Sequence, residues 1–471
     1  MVRVGLIGHN YRYEVFQILN LFYEKEEIEF CQDGYEVESI LEEEQVLFKI
    51  GEIIEKENID GNDIKLIKNS LKRTALKALS RYFEKNIPWG ILVGIRPTKI
   101  VHELKKRGDS LEEIKKHLIE YYLLNEDKAN LTIEVAENEA KFLEKEKNEV
   151  SVYVGIPFCP TRCVYCSFAS NSIYGNEKIA EEYVDFLIKE FDSILSYLKD
   201  NGISIDTLYF GGGTPSSLSL EQINRLLDKL SNYVNLQKLR EFTFEAGRPD
   251  SIDKNKLILL KKYGVTRISI NPQTMNEETL IKIGRRHSTK DIIDKFNLAR
   301  EIGFDNINMD IIVGLPDEDL GSINKTMEEL KKLSPESITI HTMAIKRASI
   351  LNEIDYKHRT DNVISMYNYA ANCCREMGMI PYYMYRQKNM VSPLENVGYS
   401  KRGKECIYNI QMIAENISII SLGADAITKI VYDEENRIER VANVKDVREY
   451  INRIDEMINK KIEAIDDILH K

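Results

Sequence analysis

The sequence predicts an α/β protein: a partial (β/α)6 barrel with an extra N-terminal α/β domain and a small C-terminal α+β domain. In the middle of the chain, short β-rich runs alternate with helical stretches of about 10–20 residues. This alternation is absent before residue 148 and stops after residue 346. The predicted domains are therefore 1–147, an accessory domain, 148–346, the barrel, and 347–471, a domain that covers the barrel mouth.

The barrel is predicted from six strands that are separated by amphipathic helical patterns. The strands are expected at Ser151–Ile156, Thr207–Phe210, Glu241–Glu245, Arg267–Ile270, Asn306–Ile312 and Ser337–His341. The helices between them include Ile179–Leu198, Leu220–Ser231 and Thr289–Ile302. Repeated βα units imply a parallel sheet with right-handed crossovers. Six units suit a partial barrel better than a closed eight-stranded one, and barrels of this kind place their chemistry at the carboxyl ends of the strands.

The flanking domains have less regular patterns. The first opens with the strand Val2–Ile7 and a helix around Tyr13–Tyr23, and a basic helix follows near Ile64–Glu84. That helix is either a solvated face or a docking site for an acidic electron donor of the flavodoxin or ferredoxin type. The C-terminal domain is predicted to contain the helix Asn362–Met377, the aromatic strand Pro381–Asn389 and a charged helix from Lys445.

Composition excludes several classes of partner. The net charge of −11 argues against nucleic-acid binding, which needs a basic surface. No apolar run approaches the roughly 18 residues of a membrane helix. The first residues lack the pattern of a signal peptide, so we expect a cytoplasmic protein with no membrane partner. Seven cysteines in such a chain do not suggest a disulfide framework.

Three of the cysteines form a cluster directly after the first barrel strand. Cys159, Cys163 and Cys166 have the spacing C-x3-C-x2-C. A structural zinc site would need a fourth ligand nearby, and none is present in the sequence around them. Three thiolates suit a 4Fe–4S cluster that keeps one iron open. An open iron that chelates S-adenosylmethionine (SAM) defines radical SAM chemistry, in which SAM is cleaved to a 5′-deoxyadenosyl radical. The alternative is that the three cysteines have no ligand role and are buried as small hydrophobic residues.

Polar residues and glycines follow the other predicted strands. The run Gly211-Gly212-Gly213-Thr214 is predicted to receive the methionine end of SAM. The further candidates are Glu245 with Arg248 three residues on, Gln273, Arg285, Asp310 and Gly314. Each one alone is more often a satisfied structural residue, but their repetition around one rim favours a ligand site. His341, which ends the sixth strand, is either a substrate-facing acid/base group or a structural histidine.

With these residues, the chain resembles the oxygen-independent coproporphyrinogen III oxidase family of radical SAM enzymes, in its long HemZ-type variant. The resemblance covers about residues 151–430. Its motifs are Tyr153-Val-Gly-Ile-Pro-Phe-Cys159, the Gly-Gly-Gly-Thr-Pro run, Asp310 with Gly314-Leu-Pro, Gly94-Ile-Arg-Pro-Thr-Lys99 and Tyr383-Met-Tyr-Arg-Gln-Lys-Asn389. It implies that two propionates of coproporphyrinogen III are oxidatively decarboxylated to the vinyl groups of protoporphyrinogen IX, in haem biosynthesis.

The resemblance also implies roles for individual residues. Arg285 would meet the methionine carboxylate of SAM, and Gln273 and Asp310 would meet its ribose. Glu245 also matches a SAM-contacting position, and Tyr153 would stand beside the cluster. A tetrapyrrole would suit the aromatic and basic residues of the C-terminal strand, although alternation puts them on two faces. The predicted substrate residues are His341, Tyr383, Tyr385, Arg386, Gln387 and Lys388.

Two departures from that family leave alternatives open. Phe168, which we include among the predicted cofactor residues, stands where the characterised oxidases carry a fourth cysteine. In lacking that cysteine, the site resembles the related haem chaperones. The haem motif of those chaperones is absent, but Cys406 could ligate haem in its place. A haem-trafficking protein is therefore the second hypothesis. A radical SAM methyltransferase or cyclopropanase that uses two SAM molecules is the third.

Overall fold

The computed structural model describes residues 1–59, 61, 63–93, 96–146, 148–166, 170–345, 349–353, 360–387, 390–432 and 437–469. Its backbone forms two compact units. The first unit comprises residues 1–136, 385–388 and 393–395, and the second contains the rest of the chain. These two units do not correspond to the three predicted domains, 1–147, 148–346 and 347–471, which remain a prediction. No helix among the described residues is long and apolar enough to cross a membrane.

The first unit is built on a mixed five-stranded sheet. Its elements are β1 (Val2–Ile7), α1 (Arg12–Leu19), β2 (Ile28–Phe30), β3 (Val37–Leu41), β4 (Gln45–Ile50), β5 (Ile53–Asn58), α2 (Ile64–Tyr82), α3 (Pro97–Arg107), α4 (Leu111–Glu120) and most of α5 (Glu126–Ala140). The strand order is β2-β1-β3-β4-β5, in which β1 pairs parallel with both neighbours and the hairpins β3–β4–β5 are antiparallel. Leu71 of α2 packs on Val46 of β4 in the core.

The basic helix α2 is not a uniformly solvated face. Arg73 is buried and donates hydrogen bonds from its Nε to both carboxylate oxygens of Glu57, at 3.1 and 2.9 Å. Lys68 instead pairs with Glu14 at 2.7 Å. The helix therefore uses part of its charge inside its own unit, because a buried guanidinium must be paired.

The only tryptophan of the chain marks a buried charged group in the first unit. Trp89 is fully buried and donates from Nε1 to Glu395 at 2.7 Å. Lys128 pairs with the other oxygen of Glu395 at 2.8 Å. The guanidinium of Arg386 lies over the indole, 5.0 Å from its centroid. The segments that contain Arg386 and Glu395 thus belong to the core of this unit.

The second unit is built on an eleven-stranded sheet, and β7 and β8 form a separate two-stranded sheet. Its elements are β6 (Glu149–Ile156), β7 (Phe158–Cys159), β8 (Asn171–Ser172), α6 (Glu177–Asp200), β9 (Ser204–Gly212), α7 (Leu220–Ser231), β10 (Glu241–Glu245), α8 (Lys254–Lys262), β11 (Arg267–Ser269), α9 (Glu277–Lys282), α10 (Thr289–Ile302), β12 (Ile307–Val313), α11 (Leu320–Leu333), β13 (Ser337–Thr342), α12 (Ile350–Glu353), α13 (Thr360–Glu376), β14 (Ile380–Tyr385), β15 (Asn396–Ser400), α14 (Ile407–Ala414), β16 (Ser418–Leu422), β17 (Ile427–Tyr432), β18 (Arg437–Ala442), α15 (Val447–Asn452) and α16 (Ile454–Leu469).

The six predicted barrel strands are confirmed as β6, β9, β10, β11, β12 and β13. They lie side by side in chain order and pair in parallel, with the α-helices between them as crossovers. The partial α/β barrel is therefore the architecture of this unit. Two short strands extend the sheet beyond β13: first β15, which pairs antiparallel with β13, and then β14. The expected strand Pro381–Asn389 was too long, because β14 ends at Tyr385 and Arg386 belongs to the first unit.

The C-terminal strands complete the other edge of the barrel. β16 pairs parallel with β6, the strand that leads into the cysteine cluster. Ser151 of β6 donates to the side-chain oxygen of Gln411, 2.6 Å away and 260 residues later in the chain. Gln411 in turn donates to the carboxylate of Asp206 on β9 at 2.6 Å. These buried bonds fix α14 against the amino-terminal half of the barrel.

Candidate active site

The cysteine segment after β6 is held against the end of β9. The amide of Thr214 donates to the carbonyl of Phe158 at 2.7 Å, and the Thr214 hydroxyl lies 3.4 Å from the sulfur of Cys159. A Cβ on Gly213 would stand 2.6 Å from the Phe158 oxygen and 3.0 Å from that sulfur. The glycine run therefore lets two backbone segments touch, which positions Cys159. No side chain larger than hydrogen fits at Gly213.

The three cysteine thiols share one electrostatic environment. Burial raises the pKa of Cys159, and the nearby Cys166 and Cys163 sulfurs raise it further. Thiols placed together in this way need a positive partner before all three can ionise. Among the described side chains, no three acidic, histidine or cysteine groups converge as they would around a single metal ion. The donor set fits an iron–sulfur cluster, because each thiolate then binds a different iron.

Three tyrosine rings stack inside the barrel below this segment. The Tyr209 ring lies 4.5 Å from that of Tyr408, and both stack against Tyr153 with centroids 6.1 Å apart. Burial raises the pKa of all three phenols. All three are therefore neutral phenols at neutral pH. Tyr153 is the partly exposed member of the three.

Glu245, at the end of β10, is the acidic group next to these rings. It accepts the hydroxyl hydrogen of Tyr209. Desolvation raises the pKa of Glu245 to about 7, and the charge of Asp310 adds to this, while the Tyr209 bond opposes it. The carboxyl group is thus balanced between its neutral and charged forms near neutral pH. A cationic ligand group, such as an amine, would fix it in the charged form.

Asp310, in the middle of β12, and His341, near the end of β13, face each other. His341 Nε2 lies 3.7 Å from Asp310 Oδ2, and Asn308 donates to Asp310 Oδ1 at 2.7 Å. Burial alone would raise the pKa of Asp310, but the bonds from His341 and Asn308 lower it below its ordinary value. Asp310 is therefore an ionised acceptor that is only partly covered by protein. The His341 ring stays partly exposed beside this carboxylate.

Gln273 and Arg285 carry polar atoms that the protein itself does not satisfy. Gln273 has a left-handed φ of 66° and sits between β11 and β12, where its amide donates to the Asp310 carbonyl at 2.9 Å. Within the part of the chain that the structure describes, neither its buried Oε1 nor the buried Nε of Arg285 has a hydrogen-bond partner. Strain and an orphaned acceptor in one residue indicate a ligand-binding position. A ribose hydroxyl is the kind of donor that Oε1 lacks.

The remaining donors of Arg285 fix its position beside the cysteines. Nη1 donates to the carbonyl of Asn271 at 2.8 Å, and Nη2 lies 3.2 Å from the hydroxyl of Tyr165. Burial lowers the pKa of Arg285, but Tyr165 and the Cys163 sulfur raise it above its ordinary value. A charged guanidinium next to a cluster ligand suits a carboxylate that binds the open iron.

The three other glycines named from the sequence each have a packing reason to be glycine. Gly314 has φ 89°, and a Cβ there would meet Val391 at 3.0 Å. Gly212 has φ 109° and would meet the Ile156 amide nitrogen at 3.0 Å. A Cβ on Gly211 would touch the rings of Tyr209 and Tyr153. These positions are required for packing around the site.

The predicted substrate residues of the C-terminal strand do not share one surface. Tyr383 is buried against Gly398 of β15. Arg386 lies in the first unit, where its Nε donates to the Leu394 carbonyl at 3.1 Å, so its charge is used there. Tyr385 and Gln387 are partly exposed. Phe168 and Lys388 lie outside the described residues.

Sequence reasoning missed residues that organise the site from within. Tyr408 lies on α14, far along the chain, and no local motif marks it. Asn271 follows β11, and its side-chain oxygen accepts from the Asp310 amide at 3.1 Å. Its place after a barrel strand was the signal that could have found it. Both residues hold the candidate ligand residues rather than a ligand.

The barrel, the three cysteines and the polar rim define a radical SAM protein, and the model of the radical SAM superfamily matches residues 153–330. The chain is 39% identical over 414 residues, or 86% of its length, to the oxygen-independent coproporphyrinogen-III oxidase-like protein HemZ of Bacillus subtilis, and covers 83% of that protein. The chain therefore belongs to the HemZ-type family of oxygen-independent coproporphyrinogen III oxidase-like proteins. Membership in this radical SAM family implies a 4Fe–4S cluster and SAM as cofactors.

Two further comparisons concern the barrel mainly. The chain is 34% identical over 210 residues to the heme chaperone HemW of Bacillus subtilis, covering 44% of this chain and 54% of that protein. The solved structure of coproporphyrinogen III oxidase HemN from Escherichia coli matches with a TM-score of 0.55 at 22% identity, over 68% of this chain and 72% of that one. This structural match shows the fold.

Proposed function

We propose that this protein oxidatively decarboxylates two propionates of coproporphyrinogen III without oxygen, giving protoporphyrinogen IX. The observation that carries the proposal is the extent of the similarity to the HemZ protein. It spans 86% of the chain, which requires that it extends into the first unit, whereas the similarity to the heme chaperone spans 44%. The proposed reaction removes from each propionate one hydrogen atom, one electron and one molecule of carbon dioxide.

The residues at the strand ends would hold SAM in this reaction. The Gln273 Oε1 and the Asp310 carboxylate would accept hydrogen bonds from the ribose, and Arg285 would pair with the methionine carboxylate. Glu245 would receive the ammonium group. When bound, the cluster and SAM supply one-electron reductive cleavage to a 5′-deoxyadenosyl radical that abstracts hydrogen. The stacked tyrosines would exclude water from the barrel side of SAM, since their rings are neutral and packed.

His341 is the proposed substrate-facing residue. Its side chain is partly exposed, and Asp310 holds its ring from one side. The His341 ring would donate a hydrogen bond to a propionate carboxylate until carbon dioxide leaves. Arg386 has no place in this scheme, because its guanidinium is bonded within the first unit. The electron donor is proposed to be a flavodoxin or ferredoxin.

The test is anaerobic reconstitution with iron and sulfide, followed by SAM, reductant and coproporphyrinogen III deuterated at the propionate carbon next to the ring. We expect deuterium in the 5′-deoxyadenosine, and a porphyrinogen pool that loses two carboxyl groups in succession. A Cys163→Ala variant, which lacks one cluster ligand, controls for chemistry outside the cluster. Deoxyadenosine without deuterium, together with an unchanged porphyrinogen, would reject this substrate.

Haem trafficking is the second candidate, favoured by the similarity to heme chaperones and by Phe168 in place of a fourth cysteine. Cys406 does not suit it. Its sulfur is fully buried, lies 3.4 Å from the Glu241 carboxylate and has a pKa that burial raises. Haem would therefore need another axial ligand.

Two results would favour the other candidates. Stoichiometric haem binding by the Cys406→Ala variant, with no porphyrinogen turnover by the wild type, would favour haem trafficking. S-adenosylhomocysteine as a product would instead favour the methyltransferase.

A further inference from the structure

A buried charged group lies beside the second cysteine of the cluster and has no part in the proposed binding of SAM. Arg248 is 3% exposed and binds Asp250 through two parallel hydrogen bonds, Nε to Oδ1 at 3.0 Å and Nη2 to Oδ2 at 2.8 Å. His287, also buried, places its Nδ1 3.5 Å from Asp250 Oδ1. A bidentate pair of this kind fixes the plane of the guanidinium.

The third nitrogen of Arg248 is directed at the cysteine segment. Nη1 donates to the carbonyl and the hydroxyl of Thr161, at 3.1 and 2.9 Å, and lies 3.8 Å from the sulfur of Cys163. The carboxylate of Asp250 occupies the opposite edge of the guanidinium. The N–H groups nearest the sulfur are therefore free of the carboxylate, and their positive charge faces a cluster ligand.

The local sequence explains this geometry. Arg248 lies three residues after the end of β10 and directly precedes the 3-10 turn Pro249–Ser251. The Ser251 amide and hydroxyl both donate to the Arg248 carbonyl, at 3.0 and 2.7 Å. This closed turn brings the Asp250 carboxylate back to the guanidinium only two residues away. Arg-Pro-Asp is thus a compact unit that can hold one cation in a fixed place.

A fixed cation next to a cluster sulfur has a redox consequence. Reduction adds one negative charge to an iron–sulfur cluster, and hydrogen bonds to the sulfurs favour the more negative state. The interaction is strong because the group is buried and poorly screened. We propose that Arg248 is a positioning residue that binds the Cys163 thiolate and makes one-electron reduction of the cluster easier. The inference rests on the radical SAM family, not on the porphyrinogen substrate.

Redox titration of the reconstituted protein, followed by the electron paramagnetic resonance signal of the reduced cluster, tests this role. We expect Arg248→Gln to lower the ratio of reduced to oxidised cluster about tenfold at a fixed potential, a midpoint shift of about 59 mV for one electron. Arg248→Lys, which keeps the charge but not the fork, should recover part of the shift. Arg225→Gln removes a solvent-facing arginine on α7, paired with Glu181 and Asp185, and should leave the midpoint unchanged.

A loaded Arg248→Gln protein with the wild-type midpoint would overturn the proposal. If Arg248→Gln does not retain iron, Arg248→Lys is measured instead. A midpoint below that of the wild type would support the proposal, and a midpoint equal to it would contradict the proposal. Loss of iron from both variants with an intact circular dichroism spectrum would assign Arg248 to holding the cysteine segment, and would also overturn the redox role. None of these outcomes depends on which substrate is turned over. Failure of the redox proposal can therefore be distinguished from failure of the proposed function.

Discussion

Tyr209 donates its hydroxyl hydrogen to Glu245, which joins the neighbouring strands β9 and β10 by a polar contact inside the barrel. The bond opposes the desolvation that raises the pKa of Glu245 to about 7. The pair therefore keeps a carboxyl group near its titration point in a place where water is scarce. A group in this state responds to pH and to a cationic ligand at neutral pH.

The stability of the cofactor-free protein should depend on Glu245. Because the folded pKa of about 7 exceeds the ordinary 4.5, the native state binds an extra proton between these values. The contribution is present below about pH 4.5 and is lost as pH rises through 7. Glu245→Gln should therefore gain up to about 3 kcal/mol relative to wild type at pH 8, at about 1.36 kcal/mol per pKa unit. Chemical denaturation at pH 5 and pH 8 measures it.

The control for that prediction is Glu221→Gln, which removes a carboxylate from the exposed face of α7. It should not change the pH dependence of the free energy of unfolding. An equal pH dependence in wild type and Glu245→Gln would contradict the prediction.

Gly213→Ala should abolish cluster loading while the barrel still folds. A Cβ would stand 2.6 Å from the Phe158 oxygen and 3.0 Å from the Cys159 sulfur, and backbone on both sides cannot yield cheaply. Iron and sulfide per chain after anaerobic reconstitution measure the effect. Gly321→Ala, where a Cβ would meet only the flexible Asp319 side chain at 3.3 Å, is the matched control. Full iron content in Gly213→Ala would show that the segment can shift.

Gln273→Met should weaken ligands that contain ribose. Replacing an acceptor that is proposed to bind a hydroxyl should cost about 1–2 kcal/mol, or about fivefold to thirtyfold in affinity. Methylthioadenosine and SAM should both lose affinity, whereas methionine should bind as to wild type. The same change removes an orphaned buried oxygen, so the cofactor-free variant should not be less stable. If methionine lost affinity to the same extent, Gln273 would not be a ribose-binding residue, and the prediction would be wrong.

Lys128→Met should destabilise the first unit by about 3–5 kcal/mol, because it leaves the Glu395 carboxylate buried without its cation. Trp89, which donates to the same carboxylate, reports unfolding of this unit by its fluorescence. Lys115→Met, which breaks the more exposed pair with Glu126, should cost under about 1 kcal/mol. Similar midpoints for the two variants would show that the buried pair is not needed.

The sequence predicts repeated local patterns well, and contacts between distant segments poorly. The helices Leu220–Ser231 and Thr289–Ile302 have the predicted bounds, since an apolar stripe and a serine cap mark each of them. The cysteine spacing is a local signal as well. Tyr408 reaches the site only because α14 packs on the barrel, and Arg386 leaves it because its neighbours belong to another unit. Neither fact has a local sequence signature.

The pairing of β6 with β16 has a consequence for synthesis on the ribosome. β6 leads directly to the cluster cysteines, yet the Gln411 oxygen that accepts from Ser151 lies 260 residues further along the chain. At a synthesis rate of about 5–20 residues per second, roughly 13–50 s pass between the synthesis of Ser151 and that of Gln411. The emerging thiols spend this interval without their finished surroundings. The native packing of β6 against the C-terminal segment is therefore completed only after residue 411 has been synthesised.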